Sequence, residues 1–460
     1  MRPKHLYLLV EEETRELLSR LCLAREAINR GHHVVLGRQW WFFENFDRLP
    51  PGVALFKGNN RIQASQMAVA KRHGHLIASI EEEALVLADA DEIRRLYEPA
   101  IEHLCDVIFA QGKFQADCLG ELFTQASHKV IASGNPRLDL LRHPELRALA
   151  LRAEPGTDGG IPLEGARYVL VNTNMSAINP SVADTLRVFE RCEIAGLLDG
   201  RHQRDVDEFD EWCAWETENL VNLVRFIDAY KQSRGDVPIV VRPHPSENAE
   251  FWSDLYDADE QVSVIQDGNH LTWIEGAACV VHTSCTTGLE AYVMGKPVVT
   301  IKTAVPHWDA RFVSNAVSQV ADGPEQAVDM VLAAVSSSEA TVGSPADANL
   351  VFNRYFRSQA DSPNAQPNAR LIIEALEQAA RGRFEESAPL ALTETQFRDA
   401  HVTDLQKGKV GFDAADIDRS MAEVTRALGG DNDVTWSVAT LAETVCSITP
   451  SESKEGGLGT

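Results

Sequence analysis

The sequence predicts an α/β protein of two consecutive halves, each a mostly parallel sheet covered by helices on both faces. Two observations carry this. Short apolar, β-branched runs alternate with amphipathic stretches of helical period over residues 5–380, and the alternation stops and restarts across a polar, Gly- and Pro-rich segment at 153–162. That segment reads as the interdomain linker.

The first half opens with a strand at Leu6–Val10, a helix over Leu17–Asn29 stopped at Arg30-Gly31-His32, and a strand at Val34–Gly37, which together make a βαβ unit. Further strands follow at 74–80, 106–110 and 129–134, with a helix over 91–104. The second half has strands at 168–174, 238–242, 262–265, 279–282 and 297–301, with a long helix over 211–234 entered by a charged surface loop at 201–211. Runs buried on both faces are continuous rather than alternating, as parallel strands require. Beyond a helix at 369–380, the apolar spacing over 397–428 is helical. The expected organisation is a first domain over 1–155, a second over 165–380, a helical extension over 381–448 and a mobile tail over 449–460.

Composition excludes several classes. With 460 residues and 44% hydrophobic content the chain can bury large cores. A net charge of −25 leaves no basic stripe to neutralise a nucleic-acid backbone. An anionic ligand would need local positive groups. The eight cysteines show no paired spacing and several lie in apolar runs, so they read as reduced thiols. The start is too short in apolar residues for a secretory signal, and no long apolar span follows. The expected location is the cytoplasm, with room for peripheral contact at the inner membrane.

The chemistry concentrates at strand ends. Val240-Val241-Arg242-Pro243-His244-Pro245 places Arg242 and His244 at the carboxyl end of a strand, where open α/β sheets bind ligands. Arg offers a fixed fork of donors, His a single ring donor, and the prolines fix the turn. The same four residues would also suit a solvated turn. His282-Thr283-Ser284-Cys285-Thr286-Thr287-Gly288 joins a strand to a helix at 289–294. Hydroxyls and a Gly at a helix N-terminus make an anion cradle, because the first N–H groups have no partner within the helix. Glu290 is placed in the first turn, where it either accepts from sugar hydroxyls or completes a cap. Asn172, ending the first strand of the second half, can reach a donor sugar or phosphate, whereas His282 reads as a core histidine.

Together the Arg-Pro-His-Pro turn, the 282–290 segment and the Gly295-Lys296-Pro297-Val298 exit resemble bacterial surface-polysaccharide glycosyltransferases of the GT-B type, notably those that transfer Kdo or related ulosonic acids from CMP donors. Glu12–Glu16, Ile80–Leu85 and Gly134–Leu141 resemble motifs of surface-carbohydrate biosynthesis proteins. Ala84 stands where such relatives carry Gly, and Cys285 interrupts the hydroxyl run. The resemblance implies two Rossmann-like domains facing a cleft. It implies an enzyme passing a Kdo-like sugar from a CMP-activated donor to a growing polysaccharide or glycolipid, with His244, Pro245, Ser284, Thr286 and Thr287 on the nucleotide and phosphate. It implies no metal and no cofactor besides the CMP-sugar.

Glycosyl transfer also needs a carboxylate, as nucleophile or as base. Glu81, Glu82 and Glu83 follow a strand end, where crowding raises the pKa of the least solvated, although dipole energetics suit a plain acidic helix start equally. Glu16, after the first strand, is the second candidate, with a surface ion pair as its alternative. Arg15 and Arg137 are the candidate acceptor contacts, Arg137 with Asp139 as an alternative bracing partner, and the run Trp40-Trp41-Phe42-Phe43 is either a lip or core packing. Two other readings stay open: a CDP-glycerol-type glycerophosphotransferase, and a non-catalytic scaffold of polysaccharide assembly.

Overall fold

The computed structural model describes residues 5–152, 167–181, 185–233, 237–336, 345–357, 367–383, 396–400, 409–429 and 434–451. The expected linker at 153–162 and residues 452–460 of the expected tail lie outside them. In chain order the strands are β1 (His5–Val10), β2 (His33–Arg38), β3 (Val53–Phe56), β4 (Leu76–Ile80), β5 (Val107–Ala110), β6 (Val130–Ala132) and β7 (Tyr168–Asn172). They continue as β8 (Ile239–Arg242), β9 (Val262–Val264), β10 (Ala277–His282), β11 (Val298–Ile301), β12 (Gln319–Ala321), β13 (Trp436–Ala442) and β14 (Val445–Pro450).

The chain forms two compact α/β units. The first comprises residues 1–82, 97–150 and 356–460, around a sheet of order β13-β14-β2-β1-β3-β4-β5-β6. The six strands from β2 to β6 are parallel, and β14 and β13 add an antiparallel hairpin at one edge. β1 is buried at all six positions because helices cover both faces. Leu21 and Ile28 of helix Glu13–Asn29, Ile372 and Leu376 of helix Asn368–Ala379, and Ile417 and Met421 of helix Ala414–Leu428 share one apolar core with β1 and β2. Each such side chain contributes roughly 1.5–3 kcal/mol by leaving water.

The second unit comprises residues 83–96 and 151–355, around a fully parallel sheet of order β12-β11-β10-β7-β8-β9. Helix Gln203–Gln232 packs Leu223, Phe226, Ile227 and Tyr230 against β7, β8 and β10. In both sheets the chain winds outward in one direction and then returns to start in the other. The reversal falls between β1 and β3 in the first sheet and between β7 and β10 in the second. Both units are therefore doubly wound, Rossmann-like folds, and ligands of such sheets bind outside the carboxyl ends at the reversal.

Several boundaries differ from those the sequence suggested. Residues 83–96 pack with the second unit and 356–380 with the first, so neither domain is one continuous stretch. The region expected as a helical extension contains helix Ala414–Leu428 but also β13 and β14, whose residues 449–450 lie in a strand rather than a tail. The charged segment 201–211 is mostly the first turns of helix Gln203–Gln232, where a solvated face tolerates charge. In helix Gln39–Asn45, Trp41 and Phe42 are buried, with Phe42 near Tyr7 and Phe46, which is core packing rather than a lip. The eight cysteines are unbridged thiols, six of them buried. Among the described residues no helix is long and apolar enough to cross a membrane.

Candidate functional site

The pairing of the second sheet aligns Thr300, His282, Asn172 and Arg242 in one row across the carboxyl ends of β11, β10, β7 and β8. Asn172 and His282 flank the strand-order reversal. The chain beyond them supplies the groups singled out from sequence.

Beyond β10 the backbone turns sharply. Ser284 adopts φ 55°, the left-handed region that non-glycine residues avoid, and helix Thr286–Val293 starts immediately afterwards. Cys285 stands at the cap of the helix, its sulfur resting on the Thr287 hydroxyl of the first turn. Thr286 and Thr287 are half-buried at the helix start, while the Thr283 hydroxyl is buried without a partner. The Ser284 hydroxyl accepts from Asn315 Nδ2 at 2.7 Å. Gly288 is required by space: a Cβ there would lie 2.5 Å from the His282 ring. That ring is wholly buried, bonded to the Ser318 hydroxyl at 2.9 Å, and burial pushes its pKa down to about 3. His282 is thus the core histidine that its strand position suggested.

Glu290 lies beyond the first turn of the helix, contrary to expectation. Its buried carboxylate meets His270 Nε2 at 3.0 Å, tying the helix to His270–Gly276. Arg242 also differs from its expected role. Its guanidinium donates to the backbone carbonyls of Asp267 at 2.6 Å and of Gln266 and Gly268 at 3.1 Å, and lies over the Trp273 ring. The fork that was expected to hold phosphate shapes the loop after β9 instead, because a buried cation in a low-dielectric site takes the nearest carbonyls. Burial lowers its pKa to about 10.

His244 is half-buried and Pro245 exposed. His244 Nδ1 accepts from the Ser246 backbone N–H at 3.2 Å, which places the proton of the neutral ring on Nε2. The turn is held by a residue the sequence reading overlooked. Glu247, 1% exposed, accepts from the Thr173 hydroxyl at 2.6 Å, the His244 backbone N–H at 3.1 Å and Trp252 Nε1 at 3.0 Å. Close by, Glu216 accepts from the backbone N–H groups of Ala177 and Ile178, and burial drives its carboxyl up to about 8.

Of the predicted carboxylates, Glu16, Glu81 and Glu82 lie buried and bonded in the first unit, whereas Glu83 is exposed and belongs to the second. Glu82 meets Arg20 at 3.2 Å, Asn135 Nδ2 at 3.1 Å and Arg137 at 3.6 Å. Glu81 accepts from Asn59 Nδ2 at 3.0 Å. Glu16 meets Lys57 at 2.8 Å and accepts from the Glu11 backbone N–H at 2.9 Å. Burial alone would raise the Glu16 carboxyl, but the charges of Lys57 and Arg20 and the hydrogen bonds outweigh it and hold it at about 2. Glu16 is therefore an ion pair, though a buried one. Arg15 is half-buried in the first turn of its helix. Arg137 braces Glu82 rather than Asp139, which bonds the backbone and side chain of Asn368 and is pushed up to about 7 by burial.

At the reversal of the first sheet stand Glu11, after β1, and Lys57, after β3, 2.7 Å apart. Neither was singled out from sequence. The signal for Lys57 was its place one residue beyond the short run Val53–Phe56, which was not recognised as a strand. A cavity of about 470 Å³ in the second unit is lined only by charged side chains, including Glu92, Arg95, Glu208 and Arg311. These form a closed ion-pair network and include none of the predicted donor contacts.

No protein-family model and no curated protein matches the sequence. Among solved structures, the chain is similar to a UDP-GlcNAc 2-epimerase from Methanocaldococcus jannaschii at 13% identity, covering 81% of this chain and 98% of that one, with a TM-score of 0.45. It is similar to a putative UDP-N-acetylglucosamine 2-epimerase from Listeria monocytogenes at 12% identity, covering 84% and 98%, with a TM-score of 0.48. It is also similar to the wall teichoic acid polymerase TagF at 9% identity, covering 83% and 90%, with a TM-score of 0.48.

Proposed function

We propose that the protein is a GT-B-type glycosyltransferase whose second unit binds a nucleotide-activated sugar and whose first unit supplies acceptor contacts and a carboxylate. The observation that carries this reading is the strand-order reversal between β7 and β10, with Asn172 and the Thr283–Thr287 turn at its two adjacent carboxyl ends. A helix N-terminus with half-buried hydroxyls follows directly, and His244 beyond β8 offers an Nε2 donor. In a chain of net charge −25 these supply the local positive potential that an anionic donor needs. The donor proposed, on the resemblance of the 242–245 and 282–290 motifs, is a CMP-linked ulosonic acid of the Kdo type, and the acceptor a saccharide or glycolipid at the cytoplasmic face of the inner membrane.

In this reading His244 and the start of helix Thr286–Val293 hold the phosphate, with Pro245 fixing the turn, Asn172 reaching sugar hydroxyls, Glu290 bracing the helix through His270 and Arg242 shaping the neighbouring loop. Glu16 stays ionised near neutral pH, so it suits stabilising positive charge on an oxocarbenium-like centre better than donating a proton. Glu81 and Glu82 remain alternatives for the carboxylate role, and Arg15 and Arg137 for the acceptor. The deciding experiment is thermal denaturation with CMP, CDP, UDP or GDP. A ligand at one hundred times its Kd stabilises the folded state by about 2.7 kcal/mol. Selective stabilisation by CMP supports the reading, selectivity for CDP points to glycerophosphotransfer, and no response to any nucleotide leaves the scaffold role.

A further inference from the structure

The Ser284 turn lies at the strand-order reversal, and its backbone is in a conformation that costs energy for any residue with a Cβ. Such a conformation persists where surrounding contacts determine it. Here one of them is an amide on another element, bonded to the Ser284 hydroxyl. Asn315, in helix Val313–Val317 after β11, is 7% exposed. Its Nδ2 donates to the Ser284 hydroxyl at 2.7 Å and to the Asp309 carbonyl at 2.8 Å, and its Oδ1 accepts from the Thr300 hydroxyl at 3.2 Å. The one Thr300 hydroxyl proton is shared with the His282 carbonyl, also at 3.2 Å, so the amide and its partners span the ends of β10 and β11. Asp309 is itself fixed, accepting from Trp215 Nε1 and from the Thr303 N–H and hydroxyl.

We infer that Asn315 is a positioning residue: by bonding the Ser284 hydroxyl it holds the strained turn that aims the start of helix Thr286–Val293 at a nucleotide phosphate. The inference rests on the nucleotide-site reading and adds to it that Ser284 serves through its backbone, its hydroxyl being engaged by Asn315 rather than by the ligand. Glycine adopts the left-handed region without cost, so a glycine at 284 makes the amide dispensable for the turn.

The test measures the effect of N315A in two backgrounds. In the parent protein N315A should weaken CMP binding about tenfold, equivalent to about 1.4 kcal/mol. In the S284G background the same substitution should weaken it by less than about twofold. An equal loss in both backgrounds overturns the inference. Where N315A does not fold, N315D serves, since it keeps the size and the acceptor for Thr300 and loses both N–H donors. The urea midpoints of the four nucleotide-free proteins give a second readout. Coupling between the two substitutions supports the inference, and additivity overturns it. Should no nucleotide bind the parent protein, the nucleotide reading falls, and the urea cycle alone decides whether Asn315 holds Ser284.

Discussion

Glu247 and Thr173 meet at 2.6 Å and join the loops that leave the adjacent parallel strands β7 and β8. The same carboxylate holds the backbone of His244, so the position of the imidazole depends on a residue three places further on. An acceptor side chain shut away from water and ringed by O–H and N–H donors is a strong arrangement, since each buried donor left without it costs about 1–3 kcal/mol.

Removing Glu247 should therefore release the His244 turn. Glu247→Ala leaves the buried donors of Thr173, His244 and Trp252 without their acceptor and is expected to cost about 3 kcal/mol in urea denaturation. Glu247→Gln, which keeps an acceptor oxygen, should cost roughly half of that. Any nucleotide affinity should fall in the same order, Ala below Gln below parent. A Glu247→Ala protein with unchanged stability would show that the loops are held by other contacts.

Arg20 and Glu82 form a buried ion pair in the first unit, at 1% and 3% side-chain exposure. Neutralising one partner strands the other charge away from water, so Glu82→Gln is expected to cost about 3 kcal/mol or more. This differs from what a purely catalytic glutamate does, where transfer stops and stability holds. Measuring both quantities on one variant assigns the role: a loss of transfer at full stability returns Glu82 to the reacting centre.

The pH dependence of stability should carry the mark of Glu216. Its carboxyl is raised to about 8 in the folded protein, against an ordinary value of 4.5, so the folded state binds the proton more tightly than the unfolded state does. The stabilisation is complete below pH 4.5 and is lost as the pH rises towards 8. Asp139, raised to about 7 from 3.8, adds a second loss of the same sign in an overlapping range. Glu216→Gln should shallow the fall in urea midpoint between pH 5 and 8, measured against the parent. An unchanged slope would mean that Glu216 is ionised when folded.

The strands that position the site are legible in the sequence because they are continuous apolar runs: Tyr7 to Val10, Val169 to Val171 and Val280 to Val281 need no partner to be recognised. β12, Gln319–Ala321, buries only Ala321 and so carries no apolar run, whereas β3, Val53–Phe56, is as apolar and as long as β5 and was overlooked. The β13–β14 hairpin was missed because Trp436–Ala442 is an edge strand of mixed burial, and its turn uses Thr444 at φ 57° in place of a glycine signal. The site was partly legible for the same reason. His244 and the 283–287 turn announce themselves by composition, whereas the partners that orient them lie far off in the chain. Asn315 is 31 residues from Ser284, and Thr173 is 74 from Glu247. Arg242 was misread because sequence shows a fork of donors but not the three carbonyls that occupy it.

Gly288 and His282 supply the last prediction. A glycine in a hydroxyl-rich turn suggests backbone freedom for an anion, yet Gly288 sits inside helix Thr286–Val293 without a positive φ. What it provides is room: a Cβ would come within 2.6 Å of three atoms of the His282 imidazole. That ring is wholly buried and bonded to Ser318, so it has little freedom to withdraw. Gly288→Ala should therefore destabilise the protein by about 1–3 kcal/mol, the usual cost of overpacking, despite the higher helix propensity of alanine. Shrinking the neighbour should relieve the clash, so Gly288→Ala added to His282→Ser is expected to cost less than Gly288→Ala alone. The comparison is read from thermal or urea unfolding of the single and double variants. Equal costs in both backgrounds would show that the glycine serves the helix start and not the packing beneath it.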